Sequence, residues 1–194
     1  MNKLTALVGA VGVAAILASC GSALTPDGSA SLQVTNLRTE WVDSATNEYV
    51  ACDNVFGAVA STNRTAVAIN FSTSGTVQSA DIGLRGQTKS DYDGNYNTNT
   101  ANTGLTNLGN GTYKTTFYAD STQGFLPQGI VVAPANVPVK FVKPTTQASG
   151  SFYAALTVYS TTGSNASTDT RLALIRNVKV YASCDYVGNT GSTL

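Results

Sequence analysis

The sequence predicts an all-β protein, an antiparallel β-sandwich of about seven to nine short strands. Three observations indicate this class. Apolar and polar residues alternate in most apolar segments, which is the period of a strand with one buried face. Serine, threonine, asparagine and glycine fill the stretches between these segments, as they do in turns. No segment after the N-terminal stretch keeps the spacing of an amphipathic helix.

The N-terminal stretch carries a motif for lipid attachment. Lys3 precedes an apolar run over 4–16, which has the length of a signal-peptide core and is too short to span a bilayer comfortably. The run Leu17-Ala18-Ser19-Cys20-Gly21 then resembles the lipobox of bacterial lipoproteins. This resemblance implies that residues 1–19 are a signal peptide and that Cys20 becomes the diacylglycerol-modified, often palmitoylated, first residue. An ordinary secretory signal with an incidental cysteine is the alternative.

The same resemblance sets the expected domain organisation and location. Residues 20–30 are expected to be the lipidated cysteine and a flexible tether, because they are rich in glycine, serine and alanine. Residues 31–194 are expected to form the β-sandwich domain. Gly21 and Ser22, with no aspartate, come directly after Cys20, and among lipoproteins of bacteria with two membranes this implies the outer membrane. In a bacterium with one membrane, the same anchor would lie on the outer face of the cell membrane. The expected location is therefore the bacterial cell envelope, with the lipid anchor as the contact to the membrane.

Strands are predicted throughout the domain from their apolar faces. In chain order these faces are Leu32 and Val34; Val67, Ile69 and Phe71; Ala80, Ile82 and Leu84; Tyr113, Thr115 and Phe117; Ile130, Val131 and Val132; Val137, Val139 and Phe141; Phe152, Ala154, Leu156 and Val158; and Leu172, Leu174, Val178 and Val180. Pro138 indicates an edge strand, since proline cannot donate to a sheet ladder. Arg176 interrupts the last face and predicts a bulge or break near 175–177.

One strand also carries a family resemblance. The segment from Gly109 to Ala119 is similar to the late strand of bacterial immunoglobulin-like and fibronectin-like domains, in which a G-x-Y pattern introduces a strand and the tyrosine packs at a corner. The resemblance implies an immunoglobulin-like sandwich. The chain departs from that family because several strand signals follow, whereas such domains usually end one strand later. Immunoglobulin-like and jelly-roll-like topologies therefore both stay open.

The remaining cysteines predict a disulfide. With Cys20 assigned to lipid, Cys52 and Cys184 are left, and an even number of cysteines in an oxidising compartment favours pairing. The bond would connect the early part of the domain to its last strand. Two buried free thiols are the alternative.

The composition excludes several classes of function. The chain has no histidine, which removes Ser-His-Asp and Cys-His catalysis and the usual zinc sites. The formal net charge is zero and no basic patch stands out, so nucleic acid is not an expected partner. Glu40 and Glu48 are the only glutamates, and a carboxylate pair of the glycosidase type is possible only in principle. We therefore expect a protein that is not an enzyme and has no cofactor, calcium aside.

The polar insertion over residues 86–112 is the best candidate for a binding loop, or else a mobile one. Asp91, Asp93 and Asn95 place oxygen donors at alternate positions, which suits calcium, and Asp120 is a further candidate ligand. A turn stabilised by side chain–backbone hydrogen bonds is the alternative.

Tyrosines accompany this insertion. Tyr92, Tyr96 and Tyr118 lie in or beside it and could stack on sugar rings or anchor a protein interface. The alternative is that Tyr113 and one neighbour belong to the core. The sequence thus predicts a lipid-anchored envelope protein with a non-catalytic structural or binding role, in an envelope or surface-layer assembly or on a polysaccharide. A carbohydrate- or calcium-dependent adhesive module is the alternative function.

Overall fold

The computed structural model describes residues 22–24, 31–57, 64–74, 76–86, 105–120, 129–132, 136–161 and 163–194. These residues fold into two β-sheets that pack face to face, which confirms the predicted all-β sandwich. Residues 1–21 and 25–30, with Cys20 among them, lie outside the described part. Within the described part, no helix is long and apolar enough to cross a bilayer.

The described residues form thirteen strands, more than the seven to nine predicted. They are β1 (Ser22–Leu24), β2 (Ser31–Thr39), β3 (Trp41–Asp43), β4 (Tyr49–Phe56), β5 (Arg64–Thr73), β6 (Val77–Gly86), β7 (Leu105–Gly109), β8 (Thr112–Asp120), β9 (Gly129–Val132), β10 (Pro138–Pro144), β11 (Ala148–Ser160), β12 (Asn165–Asp169) and β13 (Val178–Thr193). Two of them fall in regions predicted to be irregular. β1 lies inside the expected tether over residues 20–30, and β7 lies inside the polar insertion over residues 86–112.

The first sheet is antiparallel throughout and has the order β1-β2-β5-β8-β7, with β9 also paired to β8. β5 follows the predicted alternation, since Val67, Ile69 and Phe71 are fully buried in the main core. Tyr113 of β8 is also buried, and its ring stacks on that of Phe71 with centroids 5.6 Å apart. Tyr113 therefore belongs to the core.

The second sheet is mixed and has the order β10-β3-β4-β13-β11-β12, with β6 paired to β11. Two of its pairings are parallel, β4 with β13 and β3 with β10, although an antiparallel sandwich was expected. β10 pairs in addition with β13, so β3, β4, β13 and β10 close into a ring of four strands. We call this unit the four-stranded ring.

The four-stranded ring encloses its own apolar core and the predicted disulfide. Its buried interior consists of Trp41, Val50, Cys52, Val55, Val142 and Cys184. Cys52 and Cys184 are bonded, with their Cα atoms 6.0 Å apart and a sequence separation of 132. Cys52 pairs with Tyr181 and Cys184 with Val55 in the strand register, so the bond joins residues that are not direct partners on the two neighbouring strands.

Glu40 is the corner at which the chain passes from the first sheet into the second. The residue lies between β2 and β3 and is only 5 % exposed. Its Oε1 accepts a hydrogen bond of 2.7 Å from the backbone N of Ala66, and its Oε2 lies 3.1 Å from Lys140 Nζ. That ammonium also sits 4.8 Å from the ring centroid of Trp41. A buried carboxylate thus links both sheets, as burial of a charge requires.

Two further clusters complete the interior. The main core fills the space between the sheets and includes Leu32, Val34, Ile69, Phe71, Ile82, Leu84, Phe117, Phe152, Leu156, Val178 and Val180. A second cluster, which consists of Val42, Ala66, Ala68, Val137, Val139 and Leu194, covers the other face of β5. Both faces of β5 are therefore buried, whereas the alternation predicted one apolar face, formed by Val67, Ile69 and Phe71.

Two predictions about single segments are wrong. Pro138 does not indicate an edge strand, because β10 has β3 on one side and β13 on the other, and the proline occupies its first position. Leu172 and Leu174 do not belong to a strand. They lie in a turn between β12 and β13 with 58 % and 79 % of their surface exposed. The predicted break near 175–177 is confirmed, since β13 begins at Val178.

Candidate functional site

A cleft of about 430 Å³ opens where the turn between β3 and β4 faces the segment that precedes β13. Its lining mixes apolar, amide and charged side chains, which is the composition expected of a binding site. The lining residues are Leu37, Asn47, Glu48, Tyr49, Ile175, Arg176, Asn177, Val178 and Lys179.

The turn between β3 and β4 builds one wall of the cleft. Asp43 accepts hydrogen bonds at Oδ1 from the backbone N of Ala45 and at Oδ2 from the hydroxyl of Thr46, both of 2.9 Å. Asn47 adopts a left-handed conformation with φ 57°, which asparagine tolerates better than most residues. This turn holds Glu48 at the mouth of the cleft.

The opposite wall continues from a turn that begins at the end of β12. Asp169 Oδ1 accepts hydrogen bonds from the backbone N of Arg171 at 2.8 Å and of Leu172 at 3.1 Å. Leu174 N donates to Arg171 O at 3.0 Å, and Leu174 has a left-handed φ of 55°. We call residues 171–174 the dileucine turn. It directs the following residues 175–177 into the cleft lining.

An ion-pair network dominates the charge of the cleft. Glu48 Oε2 lies 3.0 Å from Lys179 Nζ, and Glu48 Oε1 accepts a hydrogen bond from Arg176 Nη1. The hydrogen bond and the positive charge of Lys179 lower the pKa of Glu48, and Arg176 lowers it further. The same pair raises the pKa of Lys179. Glu48 and Lys179 are therefore both charged at neutral pH, and Glu48 is a poor proton donor or acceptor there.

The floor and outer rim of the cleft add apolar surface and a further cation. Leu37 and Val178 are buried and Ile175 is half-buried against the main core. Arg38 lies over the ring of Tyr49 with its guanidinium carbon 5.8 Å from the centroid. The cleft can therefore hold an apolar body beside charged or hydrogen-bonding groups, and its geometry suits recognition.

Most site residues predicted from the sequence lie outside the described part of the chain. Cys20, the calcium candidates Asp91, Asp93 and Asn95, and the loop tyrosines Tyr92 and Tyr96 belong to this group. The calcium site therefore stays a prediction. Among the residues that are described, no group of three or more histidine, cysteine or acidic side chains is placed to hold a metal ion.

Tyr118 is the one predicted binding tyrosine that the structure describes. Its side chain is partly buried and packs against the second cluster, beside Ala66 and Ala68. The guanidinium carbon of Arg64 lies 4.1 Å from the centroid of its ring, which is cation–π geometry. This packing gives Tyr118 a structural contact within the fold, and its proposed role in ligand binding stays a prediction.

Sequence reasoning missed the cleft because its walls are distant in sequence. Glu48 was noted only as one of two glutamates, and its cations Arg176 and Lys179 follow it by 128 and 131 positions. The two glutamates also have separate partners, since Glu40 binds Lys140 in the interior. The one available signal was Arg176, a charge that interrupts an apolar strand pattern.

The comparisons with known proteins add no relationship. No protein-family model matches the chain, and neither the curated proteins nor the solved structures include a significant match.

Proposed function

We propose that this protein is a lipid-anchored component of the bacterial cell envelope, held at the outer membrane through Cys20, with a non-catalytic binding role. The observation that carries the proposal is the disulfide between Cys52 and Cys184, which is enclosed in the four-stranded ring. Disulfides persist in compartments outside the reducing cytoplasm. The disulfide thus supports export independently of the lipobox-like motif around Cys20.

The cleft supports binding over catalysis. Glu48 is held ionised by Lys179 and Arg176, so the carboxylate among the described lining residues is not poised for proton transfer near neutral pH. The apolar floor and the charged lining residues of the cleft suit a protein partner of the envelope or a polysaccharide. Anchoring the domain in the membrane plane would raise its effective concentration for such neighbours.

Extraction of the native protein from membranes tests the anchor and the binding role together. Mass spectrometry of the mature N-terminus is expected to find acyl chains on Cys20, and the Cys20→Ala variant is expected to leave the membrane fraction. An intact leader, or a mature N-terminus without acyl chains, would refute the anchor.

The partner is tested in mild detergent and on a glycan array. We expect a bound envelope protein or a glycan that is lost in Arg176→Glu, at an 86 % exposed side chain of the cleft. Lys143→Glu is the matched control, because Lys143 is an exposed cation on the four-stranded ring. Equal partner binding by both variants would exclude the cleft as the binding site.

A further inference from the structure

Two exposed leucines stand together in the dileucine turn. Leu172 and Leu174 expose 58 % and 79 % of their surface, although leucine is among the residues most often buried in a core. Leu174 also keeps a left-handed φ of 55°, a conformation that leucine rarely adopts. The turn therefore combines an unfavourable backbone conformation with exposed apolar surface, and such outliers concentrate at functional sites.

Charged side chains lie in the dileucine turn and in the adjacent cleft. They are Asp169 and Arg171 at the turn, and Glu48, Arg176 and Lys179 in the cleft lining. Three of the five are cationic and two are acidic, so the local formal charge is positive while the whole chain is neutral. Arg176 and Lys179 have side-chain exposures of 86 % and 51 %. Exposed apolar side chains among cations are the combination that binds anionic lipid surfaces.

The strand register places the N-terminal end of β1 on the side of the molecule that carries the cleft. β1 is antiparallel to β2, with Ser22 opposite Gln33 and Leu24 opposite Ser31. The N-terminal end of β1 therefore points toward the Leu37 end of β2, and Leu37 lines the cleft beside Ile175. Cys20 precedes Ser22 by two positions, a reach of at most about 7 Å.

We propose that the dileucine turn inserts into the headgroup region of the anionic bilayer that holds the lipid anchor. This inference rests on the proposed function, because it needs the acyl chains on Cys20. The anchor and the turn would then form two contacts with one membrane. The two contacts would fix the orientation of the sandwich and hold the cleft at the membrane surface.

Tryptophan fluorescence tests the contact in the native, lipid-modified chain. The chain has one tryptophan, Trp41, which is fully buried and gives a constant background. Leu174→Trp and Leu172→Trp are each reconstituted into vesicles of phosphatidylglycerol that contain doxyl-labelled lipid. Both probes are expected to shift to shorter wavelength and to lose fluorescence. Both effects should weaken in phosphatidylcholine vesicles and at high salt.

Leu108→Trp is the matched control. Leu108 is 52 % exposed on β7, at the opposite edge of the first sheet from β1, and should remain solvated in both kinds of vesicle. Equal solvent exposure of all three probes in phosphatidylglycerol vesicles would overturn the proposal. A concentration-dependent shift without lipid would overturn it too, and would identify a second copy of the chain as the occupant.

Failure of the anchor and failure of the contact are distinguishable. If mass spectrometry finds no acyl chain on Cys20, the proposed function fails. If the acylated wild-type chain floats with vesicles while the probes in the dileucine turn stay solvated, the membrane contact alone is refuted. Leu172→Trp keeps the test valid if Leu174→Trp does not fold, because Leu172 lacks the left-handed φ.

Discussion

The corner next to the four-stranded ring and the cleft each contain a glutamate paired with lysine, in opposite environments. At the corner, the side chains of Glu40 and Lys140 are 7 % and 18 % exposed, and the carboxylate also accepts a hydrogen bond from a backbone N–H of the other sheet. In the cleft, Glu48 forms ion pairs with two exposed cations, Arg176 and Lys179. A buried pair is costly to break, whereas exposed pairs contribute little to stability. The first network therefore serves the fold, and the second is available to a ligand.

Apolar residues show the same contrast. Trp41 and Val50 are almost completely buried inside the ring, together with the disulfide. Leu172 and Leu174 are exposed in the dileucine turn, and one of them has an unfavourable φ. Stability accounts for the first arrangement and offers no account of the second. The membrane contact proposed for the dileucine turn would account for the second arrangement.

Removal of the disulfide is expected to have the largest effect. The double variant Cys52→Ala, Cys184→Ala should lower the free energy of unfolding by about 2–5 kcal/mol, because the bond closes a long loop and lies in a sealed core. Guanidinium unfolding of the oxidised protein measures this change.

The reduced wild-type protein provides the control for this double variant. It should lose a similar amount of stability, since reduction opens the same loop without changing the size of either side chain. A loss below about 1 kcal/mol in both samples would mean that the ring is stable without its bond.

The buried ion pair is expected to have the next largest effect. Glu40→Ala should lower the free energy of unfolding by about 3 kcal/mol, because it leaves Lys140 and the backbone N of Ala66 without their buried partner. Glu48→Ala is the matched control in the exposed network and should change stability far less. Similar losses from the two variants would remove the distinction between corner and cleft.

Hydrophobic alternation predicted the fold class and much of the core, because both depend on local pattern. The faces around Ile69 and Leu156 are buried as expected, and Cys52 and Cys184 are paired. The ring was not predictable in this way. Its closure depends on parallel pairings of β3 with β10 and of β4 with β13, which join strands far apart in the sequence and leave no local signal.

The cleft escaped prediction for a related reason. Leu172 and Leu174 alternate with Arg171 and Ala173, and this pattern is typical of a strand. Hydrogen bonds from the backbone to Asp169 instead close a turn, and they depend on local geometry that alternation does not encode. The network around Glu48 needs the β3–β4 turn to face residues 176–179, which is a consequence of the complete fold.

The smallest expected effect is a difference in stability that reports the backbone strain at Leu174 in the dileucine turn. Glycine adopts a left-handed φ at no steric cost but loses more chain entropy on folding than leucine does. At Leu174 these two contributions should nearly cancel, whereas Leu172→Gly has only the entropic penalty because Leu172 has no positive φ. Leu174→Gly should therefore be more stable than Leu172→Gly by about 1 kcal/mol in guanidinium unfolding. If Leu174→Gly were the less stable of the two, the side chain of Leu174 would contribute to the fold itself, and its exposure would no longer argue for a membrane contact.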